Sequence, residues 1–578
     1  MKRANLGWTG GVPAAPDFGD HYYSQEDGLA ESRAVFLRGC GLPGAWRGRK
    51  RFTVGELGFG TGLNFLALWD LWRSDRPAGA RLHFVSVEGF PMDAAAARRA
   101  HAAWPELSGL SARLTEHWPL CDPGAHFRRF DDDGVFLTVF HAPAAEALSE
   151  MDLAADAWFL DGFAPSCNPQ MWSPEIMRAV AHCSAPGARA ATFTVAGAVR
   201  RALGEAGFAV EKKPGHGRKR ERLEACLPGT PAPDSVPGRI AIIGGGVAGA
   251  SLANALTARG AAPCIITEGP AASAPPRALL TPRLENADRP HARALISAFH
   301  HAVSRYAALG YAPSGAVRTA RDDREAARFT ALTERWSGLS AATGDQLFMH
   351  SAGALDPQII LSGLPGGAPQ ISARAASIQR QADVWRVMDT SGAMIAEAET
   401  LILAAGAGAL AFEHCAPLEL ELSAGQAGLH AFDGALDHPV TGPAYLVPAG
   451  EGRVMLGATH DHWESAAPPV PGPARQHDLL EKLAETAPDL AARVTPEPLA
   501  LWSGVRCATK DRLPVAGALE DGLYILGGLG SRGYAHAPLL AEMIGAEICG
   551  DPAPVEKTGR NAFRPGRFED RRSKREGG

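Results

Sequence analysis

The strongest constraint on this chain is a pattern it carries twice: a short apolar strand-like run, a glycine-rich turn, and then an apolar helical run. The first copy is Arg51-Phe-Thr-Val-Gly-Glu-Leu57, then Gly58-Phe59-Gly60-Thr61-Gly62, then the run 63–72. The second is Arg239-Ile-Ala-Ile-Ile243, then Gly244-Gly245-Gly246-Val247-Ala248-Gly249, with helical character continuing to Arg259. A strand that turns straight into a helix begins a crossover unit. Further strand-like runs follow each copy, at 82–88, 135–140, 157–161 and 188–194 after the first, and at 263–268 and 401–406 after the second. Strands alternating with helices predict an α/β chain with parallel sheets, here two of them.

The boundary between the two falls in Leu227-Pro-Gly-Thr-Pro-Ala-Pro-Asp-Ser-Val-Pro-Gly-Arg239, which resists both helix and strand. This predicts one module over 1–228, a linker over 229–238 and a second module over 239–550. Residues 551–578, where Arg560, Arg564, Arg567, Arg571 and Arg572 gather, read as a solvated basic tail. The 19 residues 240–258 carry no charge and have the length of a membrane span. Their four glycines instead make them strand, turn and buried helix, and no membrane partner is expected. The N-terminus lacks the apolar core of a signal peptide, so the expected location is cytoplasmic.

Composition narrows the partners. With 57 Lys+Arg against 63 Asp+Glu, the net charge of -6 argues against a basic footprint over the whole surface. A local one remains in Lys212, Lys213, Arg218, Lys219, Arg220 and Arg222, which reads either as a solvated face or as a phosphate-holding patch. The nine cysteines are scattered without a C-x-x-C pair, so no metal is expected.

The first glycine loop, with Glu56, Gly58, Gly60 and Gly62, spaces its glycines at every second position. That lets backbone approach a ligand and presents helix N-terminal NH groups to it. Glu88 ends the next strand, where a carboxylate can accept the ribose hydroxyls of a nucleoside cofactor. The spacing E-x-G-x-G-x-G suits S-adenosylmethionine better than a dinucleotide. Asp161 ends the strand 157–161, at the sheet edge where ligands bind, and a carboxylate there can position an amine acceptor and take its proton. A turn aspartate capping the next helix fits that segment equally well.

The second loop has the dinucleotide spacing in Gly244, Gly246 and Gly249, between a strand and a helix, with Glu268 at the end of the following strand for the adenosine ribose. The late strand ending at Gly406, the stretch 504–514 with Arg506, and Gly530-Ser-Arg532-Gly533 resemble the returning strand, substrate arginine and flavin-facing turn of the D-amino acid oxidase and glycine oxidase family. That resemblance implies FAD, with Arg506 gripping a substrate carboxylate and Gly406, Gly530 and Arg532 at the cofactor.

Several further segments are distinctive: Asp17-Phe-Gly-Asp-His-Tyr-Tyr-Ser24, Trp158-Phe-Leu-Asp-Gly-Phe-Ala-Pro165, Gly217-Arg-Lys-Arg-Glu221, Ala278-Leu-Leu-Thr-Pro-Arg283 and Gly457-Ala-Thr459. With both loops in this order, the chain resembles the bifunctional tRNA 5-methylaminomethyl-2-thiouridine biosynthesis family, MnmC, over nearly its whole length. The resemblance implies a class I methyltransferase Rossmann-like sheet, followed by an FAD-binding Rossmann domain with an interleaved α+β substrate domain. It also implies FAD and S-adenosyl-L-methionine as cofactors and tRNA as partner. The implied chemistry is oxidative removal of a carboxymethyl group from a wobble-uridine substituent and then N-methylation of the amine, with Arg506 and Asp161 as the residues that carry it. The chain departs from the family pattern at His141-Ala142, where Gly-Asp is frequent at the adenine end of the donor site. A second reading is a glycine- or sarcosine-like oxidase fused to an unrelated methyltransferase.

Overall fold

The computed structural model describes residues 1–217, 220–234, 237–269 and 271–576. The chain forms two compact units, Met1–Ser235 with Gly550–Thr558, and Val236–Cys549 with Gly559–Gly578.

The first unit is built on an eight-stranded sheet. Its strands are β1 (Arg51–Leu57), β2 (Arg81–Glu88), β3 (Gly124–Phe130), β4 (Val135–His141), β5 (Ala155–Leu160), β6 (Ser184–Thr192), β7 (Ala209–Pro214) and β8 (Glu221–Cys226), in the order β7-β8-β6-β5-β1-β2-β4-β3. The central five run parallel, β3 is antiparallel to β4 at one edge, and the β7-β8 hairpin closes the other. β2 is buried along its whole length and β1 at all but Arg51, because helices cover both faces of a parallel sheet. Helix α1 (Leu63–Asp75) sets Phe65, Leu66, Trp69 and Trp72 into one core layer with Phe84 and Phe159. Leu57, Val87, Trp158, Leu160 and Met177 fill the layer on the other side. β5 stops at Leu160, which leaves Asp161 just past the carboxyl end of a central strand.

The second unit begins with β9 (Ile240–Ile243), helix α2 (Val247–Thr257) and β10 (Pro263–Thr267). With β11 (Gln370–Ser372), β12 (Thr400–Leu403), β16 (Val515–Glu520) and β17 (Leu523–Gly527), these strands make a six-stranded sheet in the order β11-β10-β9-β12-β17-β16. All neighbours are parallel except the last pair. The uncharged stretch 240–258 is thus a central strand, a turn and a buried helix. Among the described residues, no helix is long and apolar enough to cross a membrane. A second, nine-stranded mixed sheet carries β13 (Leu420–Ala431), β14 (Arg453–Gly457) and β15 (Ala500–Thr509), and β13 and β15 pair antiparallel so that Ser423 faces Arg506 and Gly425 faces Gly504. Residues from between β10 and β16 build that sheet, which is the interleaved arrangement expected.

Two segments differ from the sequence reading. Asp234, inside the expected linker, accepts a hydrogen bond from the Lys50 backbone at 2.6 Å and lies 3.4 Å from the Arg49 guanidinium. Residues 551–576 are not a solvated tail. The Asp551 side chain is fully buried, held by Arg81 at 2.8 Å with His83 at 3.2 Å. Helices Lys557–Asn561 and Arg567–Glu576 follow, with Val555, Phe563 and Phe568 buried. Arg567 packs over the Phe568 ring and pairs with Asp511 at 3.0 Å. Counting charges conceals these three apolar anchors, and long arginine stems themselves cover apolar surface.

Candidate active sites

In the first unit, the glycine loop connects β1 to α1. Gly58, Gly60 and Gly62 all have positive φ, at 86°, 52° and 75°, a backbone region in which side chains are strained. At Gly60, a Cβ would come within 3.1 Å of the Tyr22 ring, so a side chain there would also be crowded. Glu88 at the end of β2 accepts from Gly60 N at 2.6 Å and from Phe90 N at 2.7 Å, which locks the loop to the strand end. Burial raises the Glu88 carboxyl above its usual range against the pull of those backbone bonds.

Behind the loop lies a buried polar network that sequence reasoning does not find. The Asn64 side chain, on the first turn of α1, donates to Glu56 Oε1 at 3.1 Å and to Asp161 Oδ2 at 2.7 Å. Its own oxygen accepts from Ser32 Oγ at 2.7 Å. Ser86 Oγ donates to Glu56 Oε2 at 2.6 Å, and Gly162 N donates to Asp161 Oδ1 at 2.8 Å. Burial, with Asp161 and Glu88 nearby, pushes the Glu56 carboxyl well above the carboxylate range despite these donors. Burial and the neighbouring acids thus work against charge on Glu56.

The N-terminal segment closes over this site. Phe18 stacks on Phe163 at 4.5 Å between centroids, Tyr22 meets the same ring edge-on at 5.3 Å, and Asp20 accepts from Ala164 N at 2.8 Å. The signal for this in sequence is the distinctive segment 17–24, whose part the residues alone do not reveal. His141, at the end of β4, is buried with its Nδ1 3.2 Å from Asp122 O and its ring 4.4 Å from that of His126, and burial lowers it to about 4. It is a neutral core residue. The cradle suits S-adenosylmethionine: glycines at positive φ, helix N-terminal NH groups, and a strand-end carboxylate.

The basic run beside this unit lies on the β7-β8 hairpin. There Lys212 pairs with Glu221 at 2.7 Å, Lys213 with Glu211 at 2.5 Å and Arg222 with Glu224 at 2.5 Å. Arg218 and Lys219 lie outside the described residues.

In the second unit, Gly244 turns with φ 114° against the Ala404 carbonyl, and Gly246 caps α2. Gly249 packs against the Gly244 carbonyl, where any side chain would collide, so it serves helix packing from behind the loop. A cavity of about 990 Å³ is lined by Gly244, Gly246, Glu268, Gly406, Arg506, Gly530 and Arg532 together. Glu268 follows β10 and lies 3.7 Å from Arg374. Gly406 and Gly530 both have φ 56°. Arg506 extends from β15 across Gly425, where a side chain would displace its guanidinium, and donates to Thr459 O at 3.0 Å. Tyr445, His460 and Trp502, which the sequence does not single out, line the same cavity. Burial lowers His460 to about 4, helped by Arg506 and Arg512, so it is neutral. The glycine turn, the helix N-terminus and the volume of the cavity suit FAD. Among the described residues, no group of three or more His, Cys, Asp or Glu side chains is placed to hold a metal.

A model for S-adenosyl-L-methionine-dependent methyltransferases matches residues 105–228, and one for FAD dependent oxidoreductases matches 239–547. The tRNA 5-methylaminomethyl-2-thiouridine biosynthesis bifunctional protein MnmC of Maricaulis maris is 46% identical, covering 99% of this chain and 97% of that one. Its counterpart in Caulobacter sp. strain K31 is 43% identical, covering 97% of each. The crystal structure of an iminodiacetate oxidase from Chelativorans sp. BNC1 aligns with 55% of this chain and 96% of its own at TM-score 0.46 and 22% identity. With such identity over nearly its whole length, the chain belongs to the MnmC family, a bifunctional enzyme with a methyltransferase domain that uses S-adenosylmethionine and an oxidoreductase domain that uses FAD.

Proposed function

We propose that the chain performs two consecutive reactions on the wobble uridine of tRNA, in the cytoplasm. The oxidoreductase unit removes the carboxymethyl group of 5-carboxymethylaminomethyl-(2-thio)uridine, and the methyltransferase unit converts the resulting 5-aminomethyl group to 5-methylaminomethyl. The observation that carries this reading is that relatives named for this pathway match both units end to end. That continuity disfavours an amino acid oxidase joined to an unrelated methyltransferase.

Bound FAD supplies a hydride acceptor, and bound S-adenosylmethionine supplies an electrophilic methyl group. In the oxidoreductase unit, Arg506 pairs with the substrate carboxylate and fixes the adjacent CH2, with Thr459 O restraining the guanidinium. Loss of hydride from that CH2 leaves a C=N bond, and water then releases glyoxylate and the primary amine. Gly244, Gly246, Glu268, Gly406, Gly530 and Arg532 are the residues that would hold the flavin.

In the methyltransferase unit, Asp161 orients the amine and takes the proton it loses as the new N–C bond forms. Asn64 fixes which way that carboxylate faces. Gly58, Gly60, Gly62 and Glu88 would hold the donor, while Phe18, Tyr22 and Phe163 exclude water above it. The test is to incubate purified protein with tRNA bearing the carboxymethylaminomethyl group and then digest it to nucleosides. The aminomethyl nucleoside and an equivalent of glyoxylate are expected without S-adenosylmethionine. The methylaminomethyl nucleoside is expected with it.

A further inference from the structure

A second cavity of about 660 Å³ adjoins the flavin-sized one and shares Arg506, Gly530 and Arg532 with it. Its wall carries seven arginines against two glutamates. The glutamates are committed, Glu285 to Arg283 at 3.0 Å and Glu325 to Arg318 and Arg321. Arg289, Arg328, Arg512 and Arg532 have no carboxylate partner among the described residues.

Their crowding has electrostatic consequences. After burial, Arg283 and Arg318 are what lower Arg532. His536, 3% exposed with neither ring nitrogen hydrogen-bonded, is driven by burial and by Arg532 and Arg283 to about 3. Arg512 is also held in place. It has φ 61°, unusual for a side chain of its size, and its carbonyl accepts from Arg283 Nη1 at 2.6 Å. The preceding Asp511 is tied by Thr509 Oγ1 at 2.7 Å, Leu513 N at 3.0 Å and Arg567. A backbone strained and braced in this way presents a guanidinium at little further ordering cost.

One substrate carboxylate needs one arginine fork, and Arg506 fills that role. The forks left over call for a further anion, and the anions covalently attached to a uridine in RNA are its flanking phosphodiesters. We propose that Arg328 and Arg512 bind a backbone phosphate beside the modified nucleotide, so that the oxidase site accepts a nucleotide within a strand and discriminates against the free nucleoside. This rests on the tRNA reading above. It places an RNA contact at the oxidase cavity, separate from the β7-β8 hairpin, where Lys212, Lys213 and Arg222 are paired.

The test is the affinity of the full-length, flavin-loaded protein for an anticodon stem-loop RNA across a salt series, for wild type, Arg328→Gln/Arg512→Gln and a control, Arg178→Gln, in the other unit. Retained flavin absorbance reports folding. The double variant should bind at least tenfold more weakly and lose about 0.7 from the slope of log affinity against log salt per phosphate contact removed. The control should match wild type. Unchanged affinity and slope in the double variant, or an equal fall in the control, would overturn the proposal. Failure of wild type to convert modified tRNA would instead overturn the functional reading on which it rests.

Discussion

Asn64 donates to Asp161 Oδ2 at 2.7 Å from the first turn of the helix that the donor-loop glycines introduce. The same amide group reaches Glu56 Oε1 at 3.1 Å, and its carbonyl is held by Ser32, so every polar atom of this side chain is engaged. A single residue thus links the glycine loop to the carboxylate at the end of β5. A buried network satisfied this fully is rigid, and losing one member strands its partners.

Asn64→Ala should therefore lower the single-turnover rate of methylation by about 10- to 100-fold, with the oxidation rate unchanged. Ser32→Ala, which removes only the orienting hydroxyl, should show a smaller loss of the same kind. Rapid-quench assays on tRNA already carrying the aminomethyl group measure both.

The two units should fail separately. Asp161→Asn is expected to abolish methylation and spare oxidation. Gly246→Glu is expected to do the reverse, because a Cβ there already lies 3.1 Å from Ser273 Oγ and 3.2 Å from Ala271, and a longer side chain must enter the phosphate cradle. Flavin content and nucleoside products, measured on each folded variant, check this.

The C-terminal anchors should be visible in acid. Burial alone would raise the Asp511 carboxyl, but the Arg567 bond, Leu513 N and Thr509 Oγ1 hold it far below the usual range. A carboxylate depressed by folding contributes stability that is fully present above its unfolded pKa of about 4 and lost as pH falls toward the folded value. The melting temperature of wild type should fall more steeply below about pH 4 than that of Asp511→Asn. At neutral pH, Arg567→Met should cost about 1–3 kcal/mol, less than a fully buried pair, because Arg571 also reaches Asp511 at 2.5 Å. Thermal melts across the pH range report both effects.

Asp551→Ala should destabilise the first unit by about 3 kcal/mol, because it leaves the Arg81 guanidinium, 10% exposed, without its carboxylate. Chemical denaturation monitored by tryptophan fluorescence, with Trp46, Trp69, Trp72 and Trp158 all in that unit's core, would show it.

What was legible in the sequence follows from how local each constraint is. The glycine loops stand out because strand, turn and helix are contiguous and positive φ demands glycine. Asp161 and Arg506 stand out because they end or lie on recognisable strands. Asn64 does not, since an asparagine inside an apolar helical run gives no hint that Glu56 and Asp161 converge on it from two strands. Nor do Tyr445 and His460, one on a four-residue strand and the other in a loop, which come to the flavin-sized cavity only in the folded second unit. The C-terminal segment misleads for a different reason: its charges outnumber Val555, Phe563 and Phe568, while those three decide where it packs.

The central claim is that one chain oxidises and then methylates the same nitrogen. It is tested most directly by methyl-labelled S-adenosylmethionine and tRNA bearing the carboxymethylaminomethyl group. Wild type should transfer label to that tRNA. Gly246→Glu should transfer none to it, yet should label tRNA supplied with the aminomethyl group already in place. Label entering the unoxidised substrate at the same rate with Gly246→Glu as with wild type would contradict the account.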